Sequence, residues 1–205
     1  QTITFGIDGT NDAPRLTVAA HSGVVSTNTG AGWAFIPSAT QQPDGKLLVT
    51  GNDDNGIFLA RYNEDGTLDT SFSGDGIVSA LGQYAAASQV VVQQVGDESK
   101  ILVSGWNAND RPVLLRFNTD GSPDMSFGAG GYANYPDLSW GETARLVLSP
   151  TGDQIYTALA SGDGILLVRH QATGALDSGF GSGGMSSELG YYGWPRDLVV
   201  DADGN

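Results

Sequence analysis

The sequence predicts an all-β fold: a β-propeller of four-stranded blades with about 53–55 residues per repeat, incomplete in this chain. Three observations carry that expectation. One segment occurs three times, as "NEDGTLDTSFSGDG" at 63–76, "NTDGSPDMSFGAGG" at 118–131 and "QATGALDSGFGSGG" at 171–184, with Asp69, Asp124 and Asp177 at intervals of 55 and 53 residues. A self-similar period in this range marks a solenoid, a propeller or an array. Each repeat holds four short runs rich in branched and apolar residues between Gly, Asp, Pro and Asn turns, and no run is long enough for a helix. Four-stranded units repeated radially form blades that pack face to face and leave only short, protected edges.

The elements follow in order. In residues 1–8, Ile3, Phe5 and Ile7 alternate with Thr2, Thr4 and Gly6, the period of a half-buried strand, and a turn-forming stretch "DGTNDAP" follows at 8–14. Residues 15–205 form the partial propeller. Gly23, Gly76, Gly131 and Gly184 lie 53, 55 and 53 residues apart, which aligns "GVVSTNTG" with the last strand of each repeat. A displaced outer strand is therefore expected at 23–29, paired to a blade whose other strands come from the chain's far end or from another chain. The first full blade is expected at about 33–82, from "FIPSATQQ", "KLLVTG", "GIFLARYN" and "GIVSALG". The second, about 84–136, comes from "SQVVVQQ", "KILVSGW", "PVLLRFN" and "GYANYP", and the third, about 140–190, from "ARLVLS", "QIYTALA", "GILLVRH" and "GMSSELG". Residues 191–205 supply the start of a fourth. The second and third strands are continuous apolar runs, as expected when neighbouring blades cover both faces, and the fourth is more polar, as at a rim.

Composition restricts the function classes. The chain has 205 residues, 40% of them hydrophobic, and 30 glycines, about double the usual share of roughly 7%. No cysteine is present, so neither disulfides nor thiolate metal sites are available. No apolar run approaches a membrane span. With 23 acidic against 9 basic residues the net charge is −14, which disfavours nucleic acid and anionic membranes as partners and favours divalent cations or a salty exterior.

The recurring "QPDGKLLVTG", "FLARYNEDGTLDTSFSGDG" and "VLLRFNTDGSPDMSFGAGG" resemble the bacterial delta-60 repeat, a β-propeller repeat of large secreted and cell-surface proteins. The resemblance covers about residues 23–205. The third copy departs from it, with Arg169-His170-Gln171 in place of Arg-aromatic-Asn and Thr173 in place of Asp before Gly174. The resemblance implies an architecture and a secreted or cell-surface setting, and it carries no reaction. "QTITFGIDGTNDAP" at 1–14 resembles the closing strand and linker of cadherin-like or VCBS-type repeats, the Ig-like modules of large bacterial adhesins. That likeness implies calcium (Ca2+) at Asp8, Asn11 and Asp12, residues that supply the hard oxygens calcium takes. A simple turn capped by the same side chains is the competing reading. Strand 1–8 is expected to pair with an upstream Ig-like domain or with a neighbouring subunit, linking modules or forming a filament.

The segment at 63–76 also looks like a calcium loop, with oxygens at Asn63, Asp65 and Asp69. The third copy offers Gln171, Thr173 and Asp177 instead, losing a carboxylate and an amide, so the hairpin reading survives the comparison better. Asp69, Asp124 and Asp177 are expected to accept backbone hydrogen bonds. His170 stands where the other copies have Tyr62 and Phe117, a packed aromatic position. A ligand site is expected at Trp106, Asn107, Asn109 and Asp110, in the loop between the second and third strands of the second blade. There Trp106 is either a packing residue or a platform for a sugar ring. No Gly-x-Ser-x-Gly elbow is present. The expected function is a non-catalytic structural or adhesive module binding a glycan or surface protein. The alternative is a glycan-processing enzyme using carboxylates on the propeller face.

Overall fold

The computed structural model describes residue 27 and residues 32–135, 138, 142–161, 164–187, 190, 193 and 195–201, with the backbone alone described at 142–144. The displaced strand at 23–29, apart from Thr27, and the whole of 1–14 lie outside the described residues. All described regular structure is β, in antiparallel sheets whose strands pair in chain order. The first sheet is β1 (Ala34–Gln41), β2 (Leu47–Asp53), β3 (Gly56–Tyr62) and β4 (Ile77–Ala80). The second is β5 (Ala86–Val95), β6 (Glu98–Trp106), β7 (Pro112–Phe117) and β8 (Tyr132–Asn134). The third has three strands, β9 (Glu142–Leu148), β10 (Gln154–Ser161) and β11 (Gly164–Gln171). These are propeller blades in an unclosed arc.

Among the described residues of the fourth strand expected at 184–190, the pairing is a bridge between Val168 and Met185. The cause is local. Leu167 N–H donates to the Ser186 hydroxyl at 3.1 Å, and Ser186 N–H donates to the Leu167 carbonyl at 2.9 Å, so a side chain takes a place that a ladder gives to backbone.

Alternation along the strands makes the blades stack. Ile101, Val103, Leu115 and Phe117 turn toward the first blade, against Leu48, Ile57, Leu59 and Phe72. Their neighbours Leu102 and Leu114 turn the other way, against Leu146, Ile155, Leu159, Leu166 and Val168 of the third. A one-residue slip in β6 or β7 would exchange the two interfaces. A third cluster, Val49, Phe58, Ala60 and Tyr62, lies on the remaining face of the first blade. There the Thr27 hydroxyl meets the Tyr62 phenol at 2.6 Å. Thr27 stands four residues after Gly23, as Tyr135 stands after Gly131, and the Tyr135 ring meets His170, the counterpart of Tyr62, edge to face at 5.0 Å.

The thrice-repeated segment is a latch. Arg61 Nε donates to Asp69 Oδ2 at 2.7 Å, Ser71 N–H and Oγ–H donate to Asp69 Oδ1, and the guanidinium lies 4.6 Å from the centre of the Phe72 ring. Another Arg61 nitrogen donates to the Thr119 carbonyl in the next blade, and Ser73 N–H donates to the Asp120 carbonyl at 2.8 Å. The second copy repeats every contact: Arg116 with Asp124, Ser126 and Phe127 at home, and with the Ala172 carbonyl beyond, while Gly128 N–H reaches the Thr173 carbonyl. Gly121 and Gly174 lie against the Phe72 and Phe127 rings of the preceding blade, where a Cβ would come within 3.1 and 2.9 Å. In the third copy Arg169 Nε lies 2.8 Å from Asp177 Oδ2, and the pair is more open, at 19% and 17% side-chain exposure against 3% and 7% for Arg116 and Asp124.

Candidate functional site

The antiparallel order puts the connections first-to-second and third-to-fourth strand at one end of each blade, and the connections second-to-third strand and blade-to-blade at the other. The latches occupy the first end, and their chemistry is internally spent. The Lys46 ammonium, the Ser71 hydroxyl and amide, and Arg61 together hold Asp69 far below the usual carboxylate range. Burial opposes ionisation of Asp124, but Ser126, Arg116 and Lys100 more than offset it and hold that carboxyl low as well. Asp65 is lowered by the Thr67 hydroxyl and amide, closing its own turn. Asp69, Asp124 and Asp177 also accept from the backbone N–H two residues on.

The opposite end differs in character. Of the four non-glycine residues with positive φ among the described residues, three are here: Leu81 (65°) and Tyr84 (67°) in the connection from blade one to blade two, and Asp110 (55°) in the loop between β6 and β7. Bulky residues in this region are strained, and such strain clusters at functional sites. The Tyr84 side chain is 82% exposed. Ala86 pairs with Trp106, so the segment carrying Tyr84 and the loop that begins at Asn107 leave the sheet side by side.

That loop is a hairpin turn in which Asn107 N–H donates to the Arg111 carbonyl and Asp110 N–H donates to the Asn107 carbonyl. The Asn107 side-chain oxygen accepts from Asn109 N–H at 2.9 Å and Arg111 N–H at 3.3 Å. The same backbone closure occurs at Gln42, Asn63, Asn118 and Gln171, and there the left-handed position is Gly45, Gly66, Gly121 and Gly174. Asp110 alone among these five replaces glycine.

Beside the loop is a cavity of about 330 Å³ lined by Asn107, Asn109, Arg111, Pro112, Asn134 and Tyr135. This is at the lower end of the range for small-molecule sites. Of the four sequence-expected ligand residues, Asn107 and Asn109 line it. Trp106 and Asp110 do not: Trp106 is held in the ladder opposite Ala86 and Pro112, and Asp110 occupies the turn's strained corner. Sequence reasoning missed Arg111, Asn134 and Tyr135. The signal for Arg111 was "NANDR" at 107–111, which keeps the turn's asparagine and drops its glycine; Asn134 and Tyr135 arrive from the end of β8 and left no local signal.

Tyr135 ties this cavity to the core. Its hydroxyl shares a hydrogen bond with Thr157 at 2.9 Å, and its ring stands edge to face on His170. His170 is fully buried, neither ring nitrogen has a hydrogen-bond partner among the described residues, and burial lowers its pKa to about 4.

The metal residues Asp8, Asn11 and Asp12 and the pairing strand 1–8 lie outside the described residues. Among the described residues no group of three or more acidic or histidine side chains is placed to hold a metal ion, and no helix is long and apolar enough to cross a membrane.

Fold and blade packing define a β-propeller protein. The family model of a β-propeller domain of unknown function (DUF5122) matches residues 42–72 and 99–127, ending in each copy on the buried latch phenylalanine, Phe72 and Phe127. No curated protein sequence matches the chain.

Proposed function

We propose that this chain is a non-catalytic binding and structural module of a large secreted or cell-surface protein, with its ligand site at the loop end of the second blade. The observation that carries this reading is a cavity lined by three amides and an arginine beside a turn whose corner is the left-handed Asp110, on a scaffold whose other turns of that shape use glycine. Local rules broken at one place of a regular repeat are the mark of selection for something other than stability. The amides of Asn107, Asn109 and Asn134 suit a glycan, whose hydroxyls need paired donors and acceptors.

The same proposal includes calcium at Asp8, Asn11 and Asp12, association through strand 1–8, and residues 23–29 as the outer strand of a blade preceding the first sheet. The contact of Thr27 with Tyr62 supports the last of these. A glycan array probed with and without calcium tests the reading. Selective retention that is lost in Asn134→Ala and Asn109→Ala supports it; turnover of a retained glycan, or no retention of any, refutes it.

A further inference from the structure

Resting on that reading, we propose that the cavity at the end of blade two takes a carboxylate-bearing saccharide, a uronate, with the Arg111 guanidinium as its carboxylate clamp. The first ground is charge. Lys46, Lys100, Arg61, Arg116 and Arg169 are each ion-paired with an acid and Arg145 donates to the Arg196 carbonyl, whereas the exposed side chains of Arg111 and Arg196 have neither an ion pair nor a hydrogen bond among the described residues, and of these two Arg111 is the one that borders the cavity. In a chain of net charge −14, acids to neutralise it are plentiful. The adjacent Asp110 makes no pair with it, and Asp110 is not among the residues that line the cavity.

The second ground is placement. The Asn107 side chain accepts the backbone N–H groups of Asn109 and Arg111, which fixes the loop so that Asn107, Asn109 and Arg111 all border one cavity. The left-handed corner of this turn is Asp110, where the four other turns of the same closure have glycine. A preset planar fork of N–H donors matches a carboxylate bidentately, and such charge-assisted bonds are about twice as strong as neutral ones.

The third ground is what surrounds the cation. The Asn109 and Asn134 amides supply donors and acceptors for ring hydroxyls, the Asn107 amide supplies donors, its oxygen being taken by the loop, and Pro112 and Tyr135 offer apolar surface for a ring face. A peptide ligand would call for a desolvated apolar pocket to seat an aromatic or aliphatic anchor. Amides around one cation fit an acidic sugar better.

The test uses the full chain and a galacturonate oligomer, with its methyl ester as the neutral isostere, by titration calorimetry at low salt. The acid is expected to bind at least about tenfold more tightly than the ester, with Arg111→Gln abolishing that preference and Arg111→Lys restoring part of it. Arg111 is exposed, so thermal melts of the variants should superpose on the parent. Equal binding of acid and ester, unchanged in Arg111→Gln, would overturn the clamp while leaving a glycan site in place. Binding of neither, together with an empty array, would overturn both readings.

Discussion

His170 makes the fold sensitive to mild acid. It stands at the place of Tyr62 and Phe117, is fully buried, and has two ring nitrogens without a partner among the described residues. Burial lowers its pKa to about 4, against about 6.5 for the unfolded chain. Between these values the unfolded state binds a proton that the folded state refuses. Stability from this group is therefore complete above about pH 6.5, falls as pH drops toward about 4, and changes no further below it. The gap corresponds to about 3 kcal/mol. His170→Phe should remove this dependence. It should also match or exceed the parent at pH 7, because it deletes two unpaired polar atoms and restores the residue type of the second repeat. Urea unfolding of both proteins at pH 7, 5.5 and 4.5 measures the difference. The latch carboxylates do not confuse the result: their lowered pKa values place their loss below about pH 4, since a carboxylate held low in the fold stabilises above its unfolded value and fails only under it. If the variant loses stability between pH 6.5 and 4.5 as steeply as the parent, the assignment to His170 is wrong.

The latch predicts a graded response. Asp124→Asn strands the buried Arg116 and should cost about 3 kcal/mol in chemical unfolding, whereas Asp177→Asn, beside the more open Arg169, should cost clearly less; equal losses would refute the role of burial. Gly174→Ala should destabilise by about 1–3 kcal/mol, because its Cβ would meet the Phe127 ring at 2.9 Å from a backbone with φ of +85°, and a companion Phe127→Leu should recover part of the loss. Asp110→Gly should raise stability by about 1 kcal/mol, by relieving the left-handed aspartate, and weaken glycan retention; a stabilised variant with full retention would mean that the strain serves no ligand.

How much was legible follows from how local each cause is. Strand order, turn positions and the blade repeat could be read directly, because alternation of apolar residues and Asn-x-Asp-Gly turns are set within a few residues of chain. The packed, aromatic-like role of His170 was legible for the same reason, from its column in the repeat. The partners of those residues were not. That Arg61 reaches a carbonyl of residue 119, that Gly174 is glycine because Phe127 of the preceding blade presses on it, and that Asn134 and Tyr135 close a cavity begun at Asn107 all depend on how one sheet lies on or beside another. The sequence marks Asp-x-x-Phe as a repeated unit without saying that its aspartate neutralises an arginine eight residues upstream, since the connection from third to fourth strand must fold back before the two charges meet. The interrupted ladder beside Leu167 was hidden likewise: Ser186 reads as an ordinary strand residue until its hydroxyl is seen taking the Leu167 amide. Repetition fixes what each blade is made of, and the stacking of blades decides which of those residues are structural and which are left to meet a ligand.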